Sequence, residues 1–260
     1  MKRTDAPQRQ PAEHAGNELE FSRVGFSYGG TPVLEDFSLD VKQGEFCCVL
    51  GPSGSGKTTL LYLAAGLRLP ASGTVRLAGA EVSGPARRAG LLLQDYGLLP
   101  WYTVRRNLEV GLAVNGSSRT EQRELSRHWL DRLSLSHLSE RFPAQLSGGQ
   151  RQRVALARQF ALSRELLLLD EPLSAVDELS REQLQRTLAG LVEEAGNTVM
   201  LVTHSIEEAA LLGSTVVLVT DHAPIREVEL LRSPFGAATP DRNDPVFLEF
   251  CAGIRERLSQ

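Results

Sequence analysis

Apolar and polar positions fall first into strand-sized runs, then into helical spacings, then into strands again. LEFSRVGFSY alternates loosely and EFCCVL is a short continuous apolar run, so residues 18–50 predict β-strands, the last of them buried on both faces. Tyr28, Gly29 and Gly30 mark a turn. GPSGSGKTTLLYLAAGL then passes from a glycine-rich loop into a helix, and TVRLA and AGLLL predict two more short strands. From about 95 to 163 the period changes: Leu125, Trp129, Leu130 and Leu133 share a helical face, with Thr120 as the expected cap. Beyond 164, LLLL (166–169), a helix over 180–194, TVMLV, a helix over 205–212 and TVVLV alternate. That alternation predicts a parallel sheet with helices on its faces, interrupted by a mostly helical insertion at 95–163. The chain closes on a Pro/Gly-containing loop and an amphipathic helix, FLEFCAGIRERL.

Composition narrows this picture. At 260 residues and 42% apolar, the chain holds one large domain, or one with an insertion, and a sizeable core. A net charge of −4 argues against a general nucleic-acid binder. The longest apolar runs fall far short of the ~20 residues a membrane span needs. The stretch at 1–17 is polar with no apolar centre, so it reads as a flexible tail rather than a secretory signal. Work at a membrane would therefore require recruitment by a partner. Cys47 and Cys48 lie in an apolar run and Cys251 stands apart, a spacing that suggests reduced core thiols rather than a metal site.

The chemistry concentrates at strand ends. Gly51, Pro52, Ser53, Gly54, Ser55, Gly56, Lys57 and Thr58 fit G-x-x-x-x-G-K-[ST] between a buried strand and a helix, with Thr59 next in line. Backbone N–H groups in such a loop can surround a phosphate, Lys57 adds a compact charge, and Thr58 offers a hydroxyl to Mg²⁺. Asp170 ends the run LLLLD, where an aspartate can hold Mg²⁺, and Glu171 beside it can polarise a water. The bland alternative is two solvated carboxylates, which the upstream loop argues against. His204 follows TVMLVT and can donate to a γ-phosphate or simply cap a helix. Gln94 follows GLLL and is either a Mg²⁺ or water ligand or a surface amide. Tyr28 can stack on an adenine face or merely pack.

A second pair of glycines, Gly148 and Gly149, opens another helix in LSGGQRQRVALAR. With this motif the chain resembles the ATP-binding subunit of an ABC transporter, from about 18 to 220. The resemblance rests on Tyr28, the loop at 51–58, Gln94, LSGGQ at 146–150, Asp170-Glu171, SAVD at 174–177 and His204, in that order. It implies an α/β P-loop NTPase (RecA-like) fold: a mixed sheet core, an antiparallel β subdomain and an inserted helical subdomain. It also implies an ATPase domain over 18–232 followed by a loop and helix at 233–260.

The resemblance further implies ATP and Mg²⁺ as ligands, with Lys57, Glu171 and His204 catalytic and Thr58, Gln94 and Asp170 around the metal. Two copies would face each other head to tail, so that Ser147, Gly148, Gly149 and Gln150 of one meet the ATP of the other. Asp177 would lie at that interface. The remaining partners implied are transmembrane permease subunits at the cytoplasmic face of the membrane and, indirectly, an exported solute-binding protein. Tyr96, Leu98, Leu99, Pro100 and Trp101 form an apolar cluster that either seats the permease or packs inside the helical region.

LLPWYTVRRNLEVGL and the C-terminal helix resemble the nitrate, sulfonate and taurine import group, although Leu173-Ser174 departs from the Phe-Gly usual there. Val176 and Ser205 replace the commoner leucine and aspartate, and the position before Gln94 lacks its usual aromatic. None of these changes removes a catalytic group. A soluble ABC ATPase of repair, translation or cluster assembly is the alternative, disfavoured by a single phosphate loop and net acidity. LSGGQ argues against a P-loop kinase or GTPase.

Overall fold

The computed structural model describes residues 16–174, 178–220 and 223–259, and of 178–180 the backbone alone. Residues 1–15 of the expected tail at 1–17, and Asp177, lie outside the described residues. Asn17, expected in the tail, is already paired with Lys42.

Strands β1 (Asn17–Tyr28) and β2 (Thr31–Lys42) form a long antiparallel hairpin, and β4 (Ser72–Leu77) and β5 (Ala80–Glu81) extend it in the order β2-β1-β4-β5. The second sheet contains β3 (Phe46–Leu50), β6 (Ala89–Leu92), β7 (Leu166–Asp170), β8 (Thr198–Thr203), β9 (Thr215–Leu218) and β10 (Glu229–Arg232). Its order is β10-β9-β3-β8-β7-β6; β10 is antiparallel to β9 and every other pairing is parallel. The expected parallel sheet is thus present, with an antiparallel edge.

Strand periodicity divides the core in two. Side chains of a strand alternate between faces. Phe46, Cys48 and Leu50 of β3, Leu167 and Leu169 of β7, and Val199 and Leu201 of β8 enter one cluster with the helices. Their neighbours Cys47, Val49, Leu166, Leu168, Met200 and Val202 enter the other, against the antiparallel sheet and α1 (Lys57–Ala64). The continuous apolar runs in the sequence are continuous because both faces of these strands are covered. All three cysteines are buried and free, and burial pushes their thiols up.

The insertion contains α2 (Val104–Val114), α3 (Arg119–Arg132) and α4 (Gly148–Ala161). Thr120 does not cap α3. Ser118 does, accepting from the Glu121 N–H while the Glu121 carboxylate accepts from the Ser118 N–H, a box that needs Glu three residues after the cap. The second half of α4 is buried on the sheet side, so the insertion is anchored in the main core rather than standing apart from it. Helices α5 (Glu178–Ala195) and α6 (Ile206–Leu212) cover the sheet, and α7 (Pro245–Leu258) buries Phe247, Cys251 and Ile254 in the same cluster. Among the described residues no helix is long and apolar enough to cross a membrane.

Candidate functional site

Strands β3, β8, β7 and β6 are neighbours and parallel, so the residues that follow each of them emerge side by side at one sheet edge. That edge receives the loop 51–58, His204, Asp170-Glu171 and Gln94. Four stretches separated by up to 153 positions in sequence are brought together by the sheet order alone.

The loop after β3 is tightly built. A side chain at Gly51 would place its Cβ 2.6 Å from the Val219 carbonyl oxygen. At Gly56, φ is +99° and a Cβ would lie 2.6 Å from Val33 Cγ1, so no other residue fits there without a shift. Helix α1 follows with no side-chain cap, leaving the N–H groups of its first turn free of any capping side chain at the positive end of the helix dipole. Lys57 is buried, and its Nζ donates to the carbonyls of Gly51 (2.9 Å) and Pro52 (2.5 Å), which fix the ammonium over the loop. Burial holds the Lys57 pKa below its usual value, with Glu171 and Asp170 opposing the shift. Ser55 is buried with Lys57, Ser53 and Gly54 are exposed, and Thr59 is buried in the first turn. Tyr28 is 41% exposed at the end of β1, in a T-shaped contact with Phe26.

The acidic residues meet this loop directly. Thr58 Oγ1 donates to Asp170 Oδ1 at 3.2 Å. Burial raises the Asp170 pKa above the usual carboxylate range, against the Thr58 hydrogen bond. Glu171 has φ +44°, a left-handed backbone that costs roughly 1–2 kcal/mol for a non-glycine residue. Its N–H donates to the Val202 carbonyl at 2.9 Å, and this tie to β8 helps hold the strained turn. The turn aims the carboxylate between two partners: His204 Nδ1 lies 3.0 Å from Oε1, and Gln94 Nε2 lies 3.4 Å from Oε2. The set Thr58, Asp170 and Gln94 offers hydroxyl, carboxylate and amide oxygens, the hard donors Mg²⁺ prefers. Among the described residues no three His, Cys, Asp or Glu side chains cluster as a metal cage.

The second glycine loop is built differently. Ser147 caps α4 by accepting from the Gln150 N–H, and Gln150 Oε1 accepts from the Ser147 N–H at 2.9 Å. Among the described residues no hydrogen bond joins 147–150 to 51–58. The apolar cluster after Gln94 divides: Tyr96 is buried in the core and Leu98 packs against it, while Trp101 is 66% exposed. The expected packing inside the helical region therefore holds for Tyr96 and Leu98.

Sequence reasoning passed over Gln152, Thr203 and Glu208. The Thr203 hydroxyl donates to buried Glu208 and accepts from the Ser205 N–H at 3.0 Å, fixing the loop that carries His204. Their signal is faint: polar residues on otherwise buried faces.

Residues 34–174 match the family model described as ABC transporter. The chain is 42% identical over 249 residues to a taurine import ATP-binding protein of Chromobacterium violaceum, covering 92% of this chain and 94% of that one. It is 40% identical over 247 residues to the same-named protein of Shigella flexneri, covering 92% and 96%. Among solved structures, the ATP-binding cassette MJ0796, a dimer in a post-hydrolysis state bound to ADP and Pi, superposes with a TM-score of 0.73 at 31% identity, covering 83% of this chain and 99% of that one.

Proposed function

Given that the chain belongs to the ABC transporter family as an ATP-hydrolysing, ATP-binding subunit, we propose that two copies close head to tail around two ATP molecules. Their closure and reopening drive import of a small organic sulfonate of the taurine kind through a membrane permease. The observation that carries the catalytic part is the convergence of Lys57, Thr58, Asp170, Glu171, Gln94 and His204 at one sheet edge.

In this reading the N–H groups of 51–58 and the open start of α1 hold the β- and γ-phosphates, and Lys57 adds charge. Tyr28 stacks on the adenine. Thr58, Asp170 and Gln94 would hold Mg²⁺, which when bound neutralises phosphate charge. Glu171 takes a proton from a water as its oxygen attacks the γ-phosphorus. The bond to the bridging oxygen breaks, and its electron pair leaves with ADP. His204 orients Glu171 and donates toward the departing phosphoryl oxygens. Ser147, Gly148, Gly149 and Gln150 of the other copy complete the cage.

Because the γ-phosphate joins the two copies, its cleavage loosens them, and the difference in affinity between ATP and ADP sets the available work. Trp101 and the exposed part of its segment seat the permease on the cytoplasmic face of the membrane, and an exported solute-binding protein delivers the cargo. Relatives that are import ATP-binding proteins favour this over a soluble repair or translation ATPase. Reconstitution of the chain with its permease in liposomes tests the cargo. ATP hydrolysis should rise with a taurine-loaded binding protein. A rise with nitrate-loaded protein alone would overturn the sulfonate assignment and leave the ATPase intact.

A further inference from the structure

Between β10 and α7 the chain meets α5 and α6, and residues 239–243 close one side of a cavity of about 420 Å³. That volume lies within the range of sites that hold small organic molecules. None of its lining residues belongs to 51–58, Gln94, Asp170-Glu171 or His204, so it is separate from the phosphate site. Leu211 of α6 gives the cavity an apolar patch. Gln185 of α5 is 1% exposed, and its Oε1 accepts from Arg242 Nη2 at 2.5 Å. Arg242 also pairs with Glu182 of α5 at 3.4 Å and with Glu207 of α6 at 3.7 Å. Its guanidinium is thus committed to holding the loop on both helices.

Two charges of the lining are not spent that way. Arg186 lines the cavity from α5, and among the described residues its guanidinium has no hydrogen bond or ion pair. Asp241 lines it from the loop; its Oδ1 accepts from the Asn243 N–H at 2.9 Å and from Asn243 Nδ2 at 3.3 Å, while Oδ2 has no partner among the described residues. Both side chains are exposed, and they form no ion pair with each other. A lone anion placed here is drawn to Arg186 but repelled by Asp241, and a lone cation meets the reverse. A molecule that carries both charges satisfies both groups at once, through charge-assisted hydrogen bonds at each end.

We propose that this cavity binds a short zwitterion, with a sulfonate or carboxylate on Arg186 and an ammonium on Asp241, and that the bound molecule braces the C-terminal segment against α5 and α6. Helix α6 is capped by Ser205, the residue after His204, so the brace bears on a helix that starts beside the catalytic loop. The proposal goes beyond the transport reading and stands or falls without it. Titration calorimetry on the full chain tests it, with taurine and β-alanine as the two zwitterions and ethanesulfonate and ethylamine as the half-ligands. Taurine or β-alanine binds saturably, the tighter of the two identifying the anionic group, and each half-ligand binds roughly tenfold more weakly or worse. Arg186→Gln and Asp241→Asn each lower the affinity for the tighter zwitterion by roughly tenfold or more. Both positions are exposed, so neither change disturbs the core. Lys57→Ala leaves that affinity unchanged, which separates the cavity from the nucleotide site. In peptide-resolved hydrogen exchange the same zwitterion slows 239–243 and leaves 51–58 as it was. The proposal is overturned by absence of saturable binding of both zwitterions, by ethanesulfonate binding as tightly as taurine, by an affinity indifferent to both cavity substitutions, or by binding lost in Lys57→Ala.

Discussion

The two glycine-rich helix starts look alike in sequence, yet the fold treats them as opposites. The loop at 51–58 is fed by a wholly buried strand, holds a buried lysine, and opens a helix whose first turn has no side-chain cap. The loop at 147–150 follows a 3-10 turn, carries no lysine, and opens a helix capped by its own Ser147–Gln150 box. The same physics applies to both, because every helix start presents unpaired N–H groups. What differs is who satisfies them: α1 leaves them for a ligand, whereas α4 has satisfied part of the set within the protomer. The first loop is built to own a phosphate. The second is held folded by its own capping box, and on the proposed composite site it meets a phosphate of the other copy.

The sharpest break of this comparison removes the chemistry that only the first loop commands. Glu171→Gln keeps the amide oxygen as a contact for His204 but cannot accept a proton from water. ATP turnover should fall by ~10²–10⁴-fold, the usual worth of a positioned base. ATP binding should survive and leave a trapped dimer, and light scattering with ATP and Mg²⁺ reads that state directly. A variant that turns over normally would take Glu171 out of the reaction.

Next in size is the charge itself. Lys57→Ala removes the buried ammonium and should weaken nucleotide binding by about two orders of magnitude, within the roughly 2–5 kcal/mol lost when one partner of a desolvated charge pair is truncated. Calorimetry measures it. Mixed with Ser147→Arg, the same variant tests the division of labour. One protomer then supplies an intact 51–58 and the other an intact 147–150, so the mixture should hydrolyse ATP well above either variant alone. A mixture no better than its components would mean that the second loop serves its own protomer.

The loop that holds His204 is set by a buried acid, and pH probes it. Burial raises the Glu208 carboxyl from an ordinary 4.5 to about 7, against the Thr203 hydrogen bond and the charges of Arg181 and His204. The folded chain therefore holds a proton there that the unfolded chain releases. Stability from this group is complete below about 4.5 and is lost as pH rises toward 7, a span worth roughly 3 kcal/mol. Glu208→Gln carries no charge, and its amide oxygen still accepts from Thr203. Its melting temperature relative to the unaltered chain should climb between pH 5 and pH 8. A flat difference across that range would show Glu208 to be ionised throughout.

Much of this was legible in the sequence because periodicity and spacing are local. The wholly buried β3, β7 and β8 announced themselves as apolar runs, and Lys57, Thr58, Asp170 and His204 stood at the strand ends where ligands bind. Partner choice is not local. Thr120 is as good a cap as Ser118 until the position of Glu121 is counted. Nothing in YGLLPW says that Tyr96 turns inward while Trp101 faces out, since that follows from a left-handed turn at Tyr96. Gln152 and Arg158 sit in a string that looks merely polar, and their bonds reach 20 and about 60 positions away.

The smallest effect bears most directly on the contrast between the two loops. In the free protomer the Ser147 hydroxyl is engaged by the Gln150 N–H at 3.2 Å, so its only measurable duty there is capping. Ser147→Ala should then cost about 1 kcal/mol, the typical loss of a serine cap, and lower the melting temperature by roughly 2–4 °C. On the proposed composite site the same hydroxyl has a second use when ATP and Mg²⁺ are present, as a donor to a phosphate of the other copy. The variant should therefore lose more against the unaltered chain in ATP-dependent dimerisation than in melting. Gly at 147 separates the two duties: it keeps most of the capping stability, since glycine at a cap costs only a few tenths of a kcal/mol, yet offers no hydroxyl. Ser147→Gly should melt near the unaltered chain and dimerise like Ser147→Ala. If it dimerises normally, the backbone N–H groups of Gly148 and Gly149 suffice, and the serine is there for the helix alone.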